Sequence, residues 1–230
     1  MATTLQLSLQ LQTSPDLVDQ VYSALLDAIN DGTIQPGDRL TQEEIADRFA
    51  VSRQPVLQAL RLLKRDGFVV DAPGRGVQAL KMDAAWITKV YEVRGALDAL
   101  AARLAAAHSY QIDPRLLELG RSSASGKDIK AMIDADMNFH WAIYVGSENP
   151  LIEQSARIHW GHVRRVMGAV LQSSETRQSV WDEHEEISKS IAAGKGDLAV
   201  ALISDHATNA DKYLVERLSA FLADPNRKAA

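Results

Sequence analysis

Apolar positions first recur with helical spacing at Leu17, Val18, Val21, Leu25 and Ile29, a run opened by Pro15-Asp16 and ended by Asp31-Gly32. Thr41-Gln42-Glu43-Glu44 reads as a capping box, with Thr41 at the N-cap, and opens a short helix through Ile45 and Phe49. Ala50-Val51-Ser52 is a three-residue connection. Ser52 is expected to cap the next helix, with Pro55 in its first turn, where a missing N–H costs nothing. That helix places Val56, Ala59, Leu60 and Leu63 on one face and stops at Asp66-Gly67. Two short β-runs, Phe68-Val69-Val70 and Val77-Gln78-Ala79-Leu80, then flank Asp71-Ala72-Pro73-Gly74-Arg75-Gly76 and predict a hairpin. Helix, helix, turn, helix, hairpin is the order of a winged helix-turn-helix, expected over residues 1–80.

After the short junction Met82-Asp83, strand-like patterning disappears. Six helices are predicted, at about 84–107, 113–122, 127–146, 150–171, 175–193 and 197–222, broken at 108–114, 122–126, 146–150, 172–174 and 194–196. Short connections favour antiparallel neighbours, so residues 84–225 are expected to form an all-α bundle. The fold class is therefore mainly α: an N-terminal winged helix-turn-helix with a small β-hairpin wing, then an antiparallel helical bundle. Composition agrees. The 230 residues are 46% hydrophobic and 24% charged, which suits one or two ordinary domains and excludes collagen-like repeats and disorder. No apolar run approaches the ~18–20 residues that span a bilayer. The opening MATTLQLSLQLQTSPD has no basic stretch before its Leu/Gln run, so no secretory signal is expected. The absence of cysteine excludes disulfides, thiolate metal sites and cysteine nucleophiles, and fits a reducing cytoplasm.

The formal net charge is −5, which argues against a chain coated in nucleic acid but not against one small DNA-reading face. Residues 1–80 hold seven Lys/Arg against ten Asp/Glu, yet between Arg53 and Arg75 there are five bases (Arg53, Arg61, Lys64, Arg65, Arg75) and two acids. DNA contact is therefore expected from the second helix of the pair and the tip of the wing. Arg53, Gln54 and Gln58 project from that helix, and Arg suits guanine and Gln adenine in the major groove. Arg61, Arg75 and Gly76 extend the face, and Thr41 and Ser52 stand at helix N-termini suited to phosphates. Leu57 shares the Arg53 and Arg61 face, where it either meets a thymine methyl or packs on the wing.

All six histidines follow residue 107: His108, His140, His159, His162, His184 and His206. Asp136 and His140 are four apart on one helix face. His184 lies ten residues before Gly194 and His206 ten after Gly196, which sets them at one height in an antiparallel hairpin. Three imidazoles and a carboxylate can thus converge on one cation, Zn²⁺ first, with Mn²⁺, Fe²⁺ or Ni²⁺ as alternatives. Spacing alone serves a rival: His140 nearly mirrors His159 across residues 145–149, and His159 and His162 share a face. Catalysis finds little support. His184-Glu-Glu-Ile-Ser188 lacks the second histidine of a zincin helix, and Glu183, Glu185 and Glu186 read as a solvated face. No Gly-rich phosphate loop or Gly-x-Ser-x-Gly elbow occurs, so an enzyme is not expected.

Two resemblances sharpen this. Gly32-Thr-Ile-Gln-Pro-Gly-Asp-Arg-Leu40, Glu44-Ile-Ala-Asp-Arg-Phe-Ala-Val-Ser-Arg-Gln-Pro-Val56 and Ala59-Leu60 resemble the N-terminal domain of GntR-family transcription regulators. That family commonly has Arg-Glu where this chain has Leu57-Gln58, which implies one base or phosphate contact fewer. Tyr91-Glu-Val-Arg94, Asp136-Met-Asn-Phe-His140 with Ser147-Glu-Asn149, Glu183-His184, Gly196-Asp197 and Asp205-His206 resemble the FCD effector domain of the FadR subfamily, in its shorter VanR-like form. The second resemblance implies Asp136, His140, His184 and His206 as metal ligands, excludes His159 and His162, and turns Arg94 towards the carboxylate of a small effector. Asn209, one turn past His206, is a further effector candidate. Together they imply a cytoplasmic homodimeric regulator, commonly a repressor, on a near-palindromic operator, controlled by an organic, sugar or aromatic acid.

Overall fold

The computed structural model describes residues 17–171 and 177–224. The helix start expected at Pro15-Asp16 and the break at 172–174 lie outside the described residues. In the head, α1 (Leu17–Asn30) buries Val21, Leu25 and Ile29, and α3 (Arg53–Arg65) packs across it through Val56, Ala59, Leu60 and Leu63. Between them, α2 (Gln42–Phe49) starts at Thr41, whose hydroxyl oxygen accepts from the Glu44 amide at 3.3 Å while the hydroxyl donates to the Glu44 carboxylate at 2.7 Å. The expected capping box is thus present in a modified form. Phe49, expected as part of the apolar face, is exposed. Ser52 does stand at the N-cap of α3, but its side chain makes no capping bond and is exposed, which corrects the expectation that its hydroxyl caps the helix.

The wing is a sheet of three strands rather than two. β1 (Arg39–Leu40) pairs antiparallel with β3 (Val77–Ala79), which pairs with β2 (Val69–Asp71), in the order β1-β3-β2. Two residues are too short for any alternation to announce β1.

The bundle has six helices among the described residues: α4 (Ala84–Ala107), α5 (Pro114–Ala124), α6 (Ile129–Gly146), α7 (Pro150–Val170), α8 (Arg177–Ala192) and α9 (Gly196–Ala223). Aspartate or asparagine side chains cap four of their N-termini, Asp83 on α4, Asp113 on α5, Asp128 on α6 and Asn149 on α7. α4 runs along α9 and also touches α6, α7 and α8, so its inner face lies at the centre. Phe139, Ile143, Trp160, Ile187, Ile191, Ile203 and Leu218 form the apolar core there, separate from the smaller core of the head. Five polar side chains share this interior, Arg94, Asp98, His140, His184 and His206, and burial at that cost marks them as a site.

Candidate metal centre and DNA face

Three helices deliver the four candidate ligands. Asp136 and His140 sit one turn apart on α6, His184 is at the middle of α8, and His206 is at the same height on α9 across the Gly194–Gly196 turn. One ligand atom from each lies within 4.8 Å of the others. His184 Nε2 is 3.4 Å from His206 Nε2 and 3.5 Å from Asp136 Oδ1. Two ligands of one zinc ion, each at about 2.0–2.2 Å, stand roughly 3–4 Å apart; the two His184 pairs have that spacing, and the chemistry of three imidazoles and a carboxylate suits such a cation. His159 and His162 are not part of this cluster. His162 faces the head, and the symmetry that offered His140 with His159 as a rival is not realised.

The orientation of each ring has its own cause. His206 Nδ1 meets the Glu183 carboxylate at 2.7 Å, which leaves Nε2 for the cluster. This bond holds the Glu183 carboxyl below its ordinary range, against the opposing effect of partial burial. Glu183 therefore belongs to the site and not to the solvated acidic face expected for it, a face to which Glu185 and Glu186 do belong through Arg121 and Lys189. His184 is held by stacking on Phe139, with ring centres 4.1 Å apart and planes 20° apart, and by the edge of Trp181. Burial pushes the His184 imidazole well below its ordinary pKa, and His206, His140 and Arg94 add to the effect. Burial first, then Arg94, lowers His140 too. Neutral imidazoles are the form that binds a metal.

Arg94 is buried on α4 beneath these rings, and Asp98 lies one turn on. Arg94 Nε is 3.2 Å from Asp98 Oδ2, close enough for an ion pair but not aligned for a hydrogen bond. Burial alone would raise the Asp98 carboxyl; Arg94, then His140, override it and hold it far below the usual carboxylate range. Arg94 Nη2 also reaches His140 Nε2 at 3.0 Å, and its guanidinium stacks 3.9 Å above the Trp160 ring. A cavity of about 290 Å³ opens beside the cluster, bordered by Arg94, Asp136, His206, Asn209, Tyr91 and Trp181. Both expected effector contacts, Arg94 and Asn209, thus face the same space as two of the candidate ligands. Trp160 is core, and Trp141 is half-buried under Arg157.

On the head, Arg53, Gln54, Arg61, Arg75 and Gly76 are exposed, and Thr41, Leu57 and Gln58 are half-buried. Arg53 is engaged by Glu43 of α2, Lys64 by Asp71 at 2.6 Å and Arg65 by Asp66 at 2.7 Å. The Arg53 and Lys64 pairs are exposed on both sides and hold their partners weakly, so α3 presents these two cations to a phosphate or base, whereas Arg65 is tied to the buried Asp66 carboxylate. The Arg75 carbonyl accepts from Arg39 Nε at 3.0 Å, which pins the wing tip to β1.

A winged DNA-binding head on a helical module with a polar, cavity-lined centre defines a ligand-responsive transcription regulator, and comparison with known proteins agrees. Residues 17–78 match the family described as bacterial regulatory proteins, gntR family, and residues 89–209 match the FCD domain. The chain belongs to the GntR family, with the FadR/VanR-like architecture of a DNA-binding domain followed by an FCD effector domain, and this is a family of regulators rather than enzymes. It is 29% identical over 219 residues to the HTH-type transcriptional regulator LutR of Bacillus subtilis, covering 81% of this chain and 95% of that protein. It is 31% identical to the HTH-type transcriptional repressor RspR of Escherichia coli K12, over 57% of this chain and 59% of that one. Among solved structures, a GntR regulator from Rhodococcus sp. RHA1 superposes with a TM-score of 0.71 at 25% identity, over 88% of this chain and 99% of that one. E. coli McbR/YncC shares the fold, with a TM-score of 0.74 at 18% identity over 89% and 100% of the two chains. Among the described residues no helix is long and apolar enough to cross a membrane.

Proposed function

We propose that this chain is a homodimeric, cytoplasmic repressor whose operator affinity is set by a small carboxylate-bearing metabolite bound at a zinc centre in the FCD domain. The observation that carries the reading is the convergence of Asp136, His140, His184 and His206 within 4.8 Å, beside a cavity that Arg94 and Asn209 also border. Zinc bound there supplies a Lewis-acidic anchor for an oxygen of the acid. Arg94 contributes the fixed positive charge for its carboxylate and Asn209 a polar contact, while Glu183 keeps His206 turned to the centre. The functional division falls at 1–80 for the DNA-binding domain and 84–225 for the effector and dimerisation domain. On the head, Arg53, Gln54 and Gln58 read bases, and Thr41, Ser52, Arg61, Arg75 and Gly76 contact the backbone. A two-fold operator needs two heads. Trp86, Val93 and Leu100 are exposed at seven-residue spacing along α4, and Leu151 and Ile158 repeat that spacing on the adjacent α7. These apolar stripes support pairing of two bundles.

The test combines native mass spectrometry, elemental analysis and operator titration. The wild type should be a dimer with one zinc per chain and should change operator affinity with candidate acids. His184→Ala/His206→Ala should lose the metal. Arg53→Ala should keep it and lose about 1–3 kcal/mol of operator binding. Zinc retained by the double variant would overturn the assigned ligands. Acids without effect on DNA affinity would reduce the metal to a structural role.

A further inference from the structure

The head meets the bundle along α7, through closely spaced residues. Gly161 lies so near Phe68 that a Cβ there would sit 2.6 Å from the ring. Next to it, buried His162 stacks on Phe68, with ring centres 4.3 Å apart and planes 13° apart, and has Trp86 edge-on. His162 Nε2 is 3.1 Å from the Asp66 carbonyl oxygen. A carbonyl only accepts, so this nitrogen carries the proton and donates. One turn on, Arg165 donates to the Leu80 carbonyl at 2.6 Å. Asp66 is the C-cap of α3, and its carboxylate accepts from Tyr22 of α1 at 2.9 Å. His162 therefore grips the point where both helices of the head's core are joined.

Trp160, one residue before Gly161, reaches the other way. It is fully buried under the Arg94 guanidinium, its ring centre is 5.1 Å from that of His140, and its Nε1 donates to the Tyr144 hydroxyl at 2.9 Å. That hydroxyl in turn donates to Asp98. One turn of α7 thus touches both the candidate metal centre and the root of the recognition helix. Beside the α7 contact a cleft of about 870 Å³ separates head from bundle, with Asn30 and Asp31 on one wall and Lys130, Asp134, Arg164 and Phe221 on the other. A head anchored along one edge, with open space along the next, has room to change its angle on the bundle.

We propose that α7 carries the state of the Asp136/His140/His184/His206 site to the DNA head, with Trp160 as the contact that senses it and His162 as the residue that positions α3. The inference rests on the reading that this site binds a cation. His140 and Trp160 share the same Arg94 guanidinium, so what His140 holds determines where Arg94 sits against Trp160, and α7 passes that shift to Asp66 and Phe68. A coupling of this kind needs one element with two positions, and α7 is assigned that role.

The test is hydrogen-exchange mass spectrometry on the full chain, with and without zinc chloride, alongside elemental analysis. In the wild type, zinc should change exchange in α1 and in residues 66–80 by about fivefold or more. His162→Ala should bind zinc and show the same change within α6, α8 and α9 while the head no longer responds. Trp160→Phe keeps a ring but loses the bond to Tyr144; it should bind zinc and show a reduced head response, which covers the case in which His162→Ala misfolds. Zinc bound with the wild-type head unchanged, or a head that responds equally in both variants, overturns the proposal while leaving the metal site standing. A wild type that binds no zinc removes the site, and this inference with it.

Discussion

Glu183 sets which nitrogen of His206 is left for a cation, because its carboxylate already occupies Nδ1 at 2.7 Å. Removing its charge while keeping its shape, as in Glu183→Gln, should weaken zinc binding roughly 10- to 100-fold in a chelator competition titration, with folding intact. Unchanged affinity would remove Glu183 from the site. Arg94 works differently, since Asp98 is fully buried and relies on it. Arg94→Ala leaves a buried carboxylate without its principal partner and should cost about 3–5 kcal/mol in chemical denaturation. Arg53→Ala, at an exposed pair, should cost under about 1 kcal/mol. Spacing that is helical and symmetric about a turn makes the four clustered residues candidates, but it serves the His140/His159 rival as well, and it is the family resemblance that selects the set the structure brings together. Glu183 and Asp98 are not legible in this way. Glu183 lies in an acidic run that looks solvated, and Asp98 is one aspartate in an alanine-rich helix. Glu183 is singled out by a ring brought in from α9, which no local pattern records; Asp98 pairs with Arg94 one turn earlier on the same helix, a spacing that reads as an ordinary surface pair until both are seen to be buried.

At the scale of elements, glycine and proline punctuation placed the helices within a few residues, because a helix ends where its backbone must turn. The wing shows the limit of such signals. β1 is a strand only because β3 pairs with it, and the two are fitted together at Gly76, whose φ of +94° suits glycine. A Cβ there would lie 2.7 Å from the Leu40 carbonyl oxygen. Gly76→Ala should therefore destabilise the head by about 1–3 kcal/mol and weaken operator binding, with zinc content unchanged. A variant that melts and binds DNA like the wild type would show that the wing tolerates a shifted β1. Ser52 teaches the same lesson in reverse. Its place before α3 is readable, but its hydroxyl is left exposed to solvent rather than spent on the cap.

For the whole molecule, the joint between head and bundle should make stability depend on acid. In the unfolded chain His162 titrates near its ordinary 6.5; in the folded protein it is pushed down to about 4. Burial is the main cause, the Asp66 carbonyl opposes it, and Arg165 and His159 add to it. Above pH 6.5 the residue is neutral in both states and contributes no pH dependence. As pH falls from 6.5 towards 4, the unfolded chain takes up a proton that the folded chain does not, so stability falls, by roughly 3 kcal/mol at most. Below about pH 4 both states are protonated and the loss stops growing. His140 and His184 are also pushed down by burial and act in the same direction, so the wild-type slope reports more than one residue. His162→Gln separates them, because it keeps a donor for the Asp66 carbonyl and cannot titrate. Denaturation of metal-free protein at about pH 7.5 and about pH 4.5 should show the variant losing roughly 2–3 kcal/mol less than the wild type. Equal losses would mean that His162 is solvated in the working protein, and that the head is not docked on α7 as the contacts with Phe68, Asp66 and Leu80 describe.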